Sequence, residues 1–340
     1  MQKGIITLTS RPSIICGASV VGKKEMDGPL ARCFDKYDLT DTFDMPTWEQ
    51  SESEMQRIAF NTAMEKGGFK IHDIDAIFAG DLINQCISSG YGLANFDTQF
   101  FGLFGACSTM AESLVLGSML VDSGKYSRVA AVTSSHNCSA ERQFRFPLEY
   151  GGQRTPTAQW TVTGSAAVII GEHSDLPYIA EVLPGRVCDK GINDSANMGA
   201  AMAPAAIDTL KRYFDESGKK PDDFSAIFTG DLGYEGSSIL VDFLRSDGYD
   251  ISRVHHDCGL MIYDRERQDV HAGGSGCGCC ATVFAGHILP QLKEKKLKDI
   301  LFIATGAMMN TASIQQGLTI PGIAHLARIT VSEGDDGQNS

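Results

Sequence analysis

Two seven-residue stretches constrain the fold of this chain more than anything else in it. Ala76-Ile77-Phe78-Ala79-Gly80-Asp81-Leu82 and Ala226-Ile227-Phe228-Thr229-Gly230-Asp231-Leu232 agree at six of seven positions and lie 150 residues apart. Each is a short apolar run ending in a Gly-Asp turn, the pattern of a buried strand that feeds a loop. About 26 residues beyond each turn stands a cysteine at a junction, Cys107 in one half and Cys258 in the other. Later runs correspond as well, Val129-Ala130-Ala131-Val132-Thr133 with Leu301-Phe302-Ile303-Ala304-Thr305. An ordered set of matches reads as an internal duplication. It predicts two α/β halves, residues 1–174 and 175–331, related by a pseudo-twofold axis, with sheets covered on both faces. Such a duplication brings the ends of equivalent strands together at the junction of the halves, where ligands usually bind.

At that junction the first half offers Phe104-Gly105-Ala106-Cys107-Ser108-Thr109-Met110. An apolar run from Phe100 leads in. Met110, Leu114, Val115, Met119 and Val121 then follow helical spacing, and Gly124 closes the element. Cys107 therefore sits where a buried strand bends into a buried helix, with Ser108 or Thr109 placed to cap it. A helix start favours a thiolate or a bound anion. A small core cysteine fits the same pattern equally well. Elsewhere, Thr47 caps a helix over about 48–66 that ends at Gly67-Gly68, and Ala203 to Phe214 reads as a helix. Lys23 to Leu30 reads as a charged turn and 33–48 as a loop.

A net charge of −13 argues against nucleic acid as a partner, because no basic stripe exists to release counterions. A small anionic ligand needs only a local positive pocket. Ten cysteines without a secretory signal point to a reducing compartment. Cys277-Gly278-Cys279-Cys280 lacks the paired spacing of zinc sites and reads as small residues packed at a helix, with no metal. No apolar run reaches the ~20 residues that span a bilayer, so contact with a membrane would be by docking. The tail 332–340 is polar and reads as disordered.

Two α/β halves with a cysteine at a helix start in the first are similar to the thiolase superfamily, which includes the ketoacyl synthases and has a layered αβαβα arrangement. Finer motifs narrow the resemblance. They are Asp27-Gly28-Pro29-Leu30, Phe104 to Thr109, Thr133-Ser134-Ser135-His136-Asn137, Glu141-Arg142-Gln143-Phe144-Arg145 and Glu149-Tyr150-Gly151-Gly152-Gln153, then Met202 to Ala206 and Asp257 to Tyr263. From about 5 to 330 the chain resembles the stage V sporulation protein AD family. That resemblance implies a non-catalytic protein that binds dipicolinic acid (pyridine-2,6-dicarboxylate) and supports its uptake into the developing spore. It implies integral-membrane partners of the stage V sporulation A complex and a peripheral place on the forespore membrane. No cofactor is implied; calcium would enter only as part of the ligand. The superfamily's habit of homodimers is carried over by analogy.

The resemblance also fixes what to test. In a ketoacyl synthase a thiolate attacks an acyl thioester, and a His with an Asn, or two His, serves the second step. Cys107 matches the nucleophile and His255 the histidine. Where the asparagine is expected stands Gly273-Gly274-Ser275-Gly276, preceded by His271-Ala272. The late thiolase cysteine is replaced within Ala304-Thr305-Gly306-Ala307. The pocket is thus expected to persist without the full chemistry. The other readings are an acyl-transfer enzyme using Cys107, or a scaffold with a vestigial pocket. A planar dicarboxylate wants cationic donors, and Arg142, Arg145 and Arg154 form a local positive segment. They serve equally as ion-pair partners at a subunit interface. Ser135, His136 and Asn137 end a strand beside them, His136 reading as a structural histidine. Gly273, Gly274 and Ser275 offer an anion nest or, alternatively, tight packing. Asp81 and Asp231 read as turn and capping residues, and Cys258 as core.

Overall fold

The repeated strands occupy the same position in two sheets of the same design. This computed structural model describes residues 4–144, 154–172 and 177–331. The first half contributes β1 (Ser13–Val21), β2 (Ala76–Gly80), β3 (Gln99–Gly102), β4 (Arg128–Ser135) and β5 (Gly164–Gly171). The second contributes β6 (Tyr178–Leu183), β7 (Ala226–Thr229), β8 (His255–Asp257), β9 (Asp299–Ala307) and β10 (Gly322–Thr330). The order is β3-β2-β4-β5-β1 in one half and β8-β7-β9-β10-β6 in the other. In both, the first three strands are parallel and the last two antiparallel. Identical order and sense make the pseudo-twofold relation explicit. Ser13 paired with Tyr178, and the short first-half strand Ile6–Thr7 paired with Val182 and Glu181 of β6, join the two halves into one continuous ladder. The predicted boundary at 174/175 lies outside the described residues.

Helices cover the sheets as five layers. The outer layer of the first half is α1 (Trp48–Gly67), which buries Met55 and Phe60 against Ile77 and Val132. Its caps are the expected ones. Thr47 Oγ1 accepts from Gln50 N at 3.3 Å, and Gly68 closes the helix at φ 70°, a left-handed conformation that suits glycine. The matching outer helix α4 (Met198–Ser217) buries Met202 and Phe214 against Ile227 and Ile303. It starts five residues earlier than the Ala203 expected from sequence, because Asn197 Oδ1 accepts from Ala200 N at 3.1 Å and caps it there. Between the sheets lie α2 (Thr109–Asp122) and α6 (Cys277–Val283), whose Met110, Leu114 and Val283 join Val168 and Phe302 in the central core. Truncating Leu114 to alanine costs about 2–5 kcal/mol.

Several local expectations are corrected. Lys23–Met26 is a short helix, and Lys36–Tyr37 is a two-residue strand paired with the end of β1. Ser108 and Thr109 cap nothing: their hydroxyls donate backward to the carbonyls of Gly105 and Ala106, at 2.6 Å each. The second-half counterpart of the Cys107 junction is Cys277, not Cys258. Residues 258–276 are interposed between β8 and the inner helix α6, and Cys258 heads a four-residue helix inside the core. Among the described residues no helix is long and apolar enough to cross a membrane, and no group of metal-ligating side chains is assembled. The tail 332–340 lies outside the described residues.

Candidate functional site

A cavity of about 450 Å³ lies between the halves, with Cys107 on its wall. The first half supplies the loop after β2, the turn at 104–107 and one side of α3 (Asn137–Phe144). The second supplies the start of α4, Ser275 and the segment 307–310 that follows β9. Equivalent strand ends thus converge on it, as the duplication requires.

The cysteine turn is built by both halves. Ala106, immediately before Cys107, takes φ 50°, a left-handed conformation unusual for a residue with a Cβ. Gly306 of β9 backs the turn; a Cβ there would stand 2.3 Å from the Gly105 carbonyl oxygen. The Cys277 thiol donates to the Ala106 carbonyl at 2.9 Å. The closely spaced cysteines of α6 are therefore packing groups that brace the turn.

Cys107 is 8% exposed. Burial, and then the charge and hydrogen bond of Asp231, push its thiol well above the ordinary range. Asp231 is fully buried beside that thiol and accepts three hydrogen bonds. They come from Thr305 Oγ1 at 3.0 Å, Ser275 Oγ at 3.1 Å and the backbone N–H of Gly276 at 2.8 Å. Burial raises its pKa to about 6 despite those donors. Of the glycine loop expected as an anion nest, the Ser275 hydroxyl and the Gly276 N–H are used by the protein's own Asp231, while the Gly273 N–H donates to the Val270 carbonyl. Burial and the neighbouring carboxylate both favour the protonated thiol. A thiol beside a carboxylate is the reverse of the cationic surroundings that make a reactive thiolate.

The pseudo-symmetric partner of Asp231 is Asp81, which lines the cavity directly. Its Oδ1 accepts from Ile83 N at 2.8 Å, and its Oδ2 accepts from Ser89 N at 2.8 Å and Ser89 Oγ at 2.6 Å. Ser89 Oγ and Ser134 Oγ both accept from Gln56 Nε2, and Ser134 and Ser139 donate to the fully buried Glu52. Burial and the nearby Asp81 raise Glu52 to about 8. This polar chain ties the loop after β2 to α3, which forms the cavity wall.

Of the residues singled out from sequence, Cys107 and Ser275 line the cavity. The rest stand elsewhere. Ser135 Oγ donates to the Val162 carbonyl and accepts from Gly278 N, fixing the start of α6 on β4. His136 Nδ1 accepts from Cys138 N while Nε2 donates to the Asp41 carbonyl, so this buried ring is neutral and fully used. Asn137 bonds Thr161 and Thr163. Arg142 is paired with Glu49 and lies over the Trp48 ring. Arg154 is paired with Asp269 and lies over Trp160. Gly273 and Gly274 sit in a two-strand ladder with Trp160. His255, on the edge strand β8, lies 2.9 Å from Thr229 Oγ1, and burial, helped by His256, lowers it to about 4. It does not line the cavity. Arg145, with the motif 149–153, lies outside the described residues.

The sequence reading missed most of the wall. Asn84, Gln143 and Asn310 bring amides to it, Met202 and Met308 apolar surface, and Asp81 and Glu141 carboxylates. The duplicated Gly-Asp turns were the available signal for Asp81 and Asp231. Nothing in the pattern marked the segment 307–310.

The family model for stage V sporulation protein AD matches residues 2–330. The chain is 46% identical over 308 residues to stage V sporulation protein AD of Bacillus subtilis (strain 168), an alignment covering 90% of each chain. Solved structures of similar fold include 3-oxoacyl-[acyl-carrier-protein] synthase III from Aquifex aeolicus, with TM-score 0.57, 16% identity and 93% and 99% of the two chains covered. Cerulenin-bound OleA of Xanthomonas campestris is another, at TM-score 0.61, 12% identity and 94% and 96% coverage. At such identities these structures speak for the thiolase-like fold alone. A family match over nearly the whole chain, on a thiolase-like frame with a cysteine at the junction of its halves, makes this protein a member of the stage V sporulation protein AD family.

Proposed function

We propose that this chain is a non-catalytic sporulation protein whose inter-half cavity receives dipicolinic acid as its calcium complex. It supports uptake of that ligand into the developing spore, docked peripherally at the forespore membrane on integral-membrane partners of the stage V sporulation A complex. The observation that carries the reading is the Cys107–Asp231 pair at the wall of an intact cavity. A condensing thiol must be deprotonated and must face polarising donors. This one is held protonated, and no histidine is among the described residues of the wall.

The described part of the wall favours one form of the ligand. Its carboxyl groups are Asp81, whose pKa burial raises, and Glu141, which already has a partner; no lysine or arginine is among its described residues. Bringing a free dianion within about 4 Å of one carboxylate costs on the order of 4 kcal/mol per charge pair. The one-to-one calcium complex is neutral. Its cation takes oxygen ligands such as carboxylates and amide carbonyls, which the wall provides. Equilibrium dialysis of the purified protein against dipicolinate, with calcium or with a chelator, tests this. Retention only with calcium is expected; no retention in either condition at millimolar ligand rejects the reading.

A second copy of the chain is the proposed partner at the free edge of β3. All four residues of that strand are exposed, and Phe100 is 44% exposed beside Phe104 at 63%. An edge strand with unpaired backbone groups and apolar side chains pairs readily with its own twofold copy.

A further inference from the structure

Among the described residues of the cavity wall, one buried amide oxygen is left without a partner by the protein. Gln159 lines the cavity and is 7% exposed. Its Nε2 donates to the carbonyl of Asp231 at 2.7 Å and to that of Gly274 at 2.7 Å. Both neighbours are acceptors, so the nitrogen must face them, and this fixes which amide atom is the oxygen. That oxygen, Oε1, is buried with no hydrogen-bond partner.

The surroundings hold this amide still. Gln159 stands between two backbone bonds, from Ala272 N to the Ala158 carbonyl at 3.0 Å and from Trp160 N to the Gly273 carbonyl at 2.8 Å. Gly233 closes over its far end; a Cβ there would stand 2.8 Å from Nε2 and 3.0 Å from Cδ. The amide cannot turn over without setting its oxygen against two carbonyls.

The other amides of the wall differ. Gln143 is used at both atoms, Nε2 donating to the Leu82 carbonyl at 2.9 Å and Oε1 accepting from Asn84 N at 2.8 Å. Asn310 Oδ1 accepts from Ser313 N at 2.8 Å. Asn84 and Gln85 are exposed, where water serves them. A buried acceptor left unmade carries a desolvation penalty, which a donor on the cavity's occupant would remove.

The chemistry of the ligand decides what that donor is. At neutral pH dipicolinate offers carboxylate oxygens and a ring nitrogen, all acceptors. The free dianion would therefore set acceptor against acceptor at Gln159. Calcium in the complex keeps further oxygen ligands, water among them, and a cation-bound water is a donor. We infer, resting on the receptacle reading above, that Gln159 selects the hydrated calcium complex over the free dianion, its Oε1 accepting a hydrogen bond from a water on the cation. The selection works by hydrogen-bond polarity and needs no charge on the residue.

The test is equilibrium dialysis of the full-length protein against dipicolinate, with calcium or with a chelator, for the parent, Gln159→Met and Gln159→Lys. Methionine keeps the length and removes the acceptor. Lysine keeps a donor for the Asp231 and Gly274 carbonyls and puts a cation where the acceptor was. Gln159→Met should retain the calcium complex roughly tenfold less than the parent, the effect of one lost hydrogen bond that leaves its donor unpaired. Gln159→Lys should lose the complex likewise and retain free dipicolinate in the chelator arm, a reversal that a merely structural residue would not produce. Thermal melting shows which variants fold; if Gln159→Met does not, Gln159→Lys decides. Undiminished retention of the complex by a folded Gln159→Met overturns the inference and leaves the receptacle reading standing. So does a loss of the complex in Gln159→Lys with no gain of the free dianion. A parent that retains neither form overturns the receptacle reading, and the inference falls with it.

Discussion

The buried carboxylate of Asp231 stands beside the thiol of Cys107, and the two come from opposite halves of the duplicated fold. The first prediction follows from the charge on Asp231. Asp231→Asn keeps an acceptor for Gly276 and Ser275, which share Oδ2, and removes the negative charge; the Thr305 hydroxyl, now donating to Oδ1, can turn to accept from the new amide. Each unit by which the thiol pKa falls multiplies the thiolate fraction about tenfold. Alkylation of Cys107 by iodoacetamide, followed by mass spectrometry, should therefore speed up by about tenfold or more. An unchanged rate would show that burial alone protects the thiol.

The second prediction concerns pH. Burial raises Glu52 to about 8, Glu25 and Asp257 to about 7, and Asp231 to about 6. A carboxyl whose folded pKa is raised binds its proton more tightly when folded. Its stabilising proton is present below the unfolded value and lost as pH rises through the folded value. Stability should therefore climb as pH falls from 8 to 6.5. Below 6.5 the buried His255 and His325, both lowered to about 4, oppose it. Their neutral forms favour the fold above 6.5, and that contribution is lost as pH falls toward 4. The melting temperature should rise between pH 8 and 6.5, by about 2 °C for each kcal/mol gained, and below 6.5 go on rising less steeply than the four carboxyls alone would drive it. Glu52→Gln should reduce the rise. A melting temperature that falls over that interval would contradict the account of the buried carboxylates.

The repeat, the layered fold and the first-half cysteine junction are all legible in the sequence. Short apolar runs, a capping threonine and terminal glycines are local signals, and β2, β7 and α1 stand where those signals put them. The cavity wall was not legible, because its parts are loop segments far apart in sequence. Asn84 and Asn310 meet only because the pseudo-twofold brings equivalent strand ends together. The arginine segment misled for a physical reason. Arg142 and Arg154 look like carboxylate receptors in the sequence, but Glu49 and Asp269, distant in the chain, reach them in the fold. Cys258 misled because residues 258–276 separate β8 from the inner helix, displacing the equivalent junction to Cys277.

A third prediction tests the packing of the inner layer. A Cβ on Gly278 would stand 2.3 Å from the Gly164 carbonyl oxygen, and backbone cannot give way as a flexible side chain can. Gly278→Ala should destabilise the protein by about 1–3 kcal/mol, the usual cost of overpacking. Denaturant unfolding measures it; a midpoint equal to that of the parent protein would contradict the close approach of α6 to β5.

The fourth concerns assembly. If two copies join along β3, Phe100→Lys places a charge in the seam and should give a monomer by light scattering with an unchanged melting profile. Phe101 is left alone because it stacks on Phe78 at 4.8 Å. A dimer that persists in the Phe100 variant would move the interface elsewhere.

The central claim is that the cavity beside a disarmed cysteine is a receptacle for the calcium complex of a planar dicarboxylate. A crystal structure of the protein soaked in calcium dipicolinate tests it most directly. The account predicts a flat ligand between the halves, touching Cys107 and Ser275, with its cation facing Asp81 or Glu141 and no bond to sulfur. An empty cavity at saturating ligand, or an adduct on the Cys107 sulfur, would contradict it.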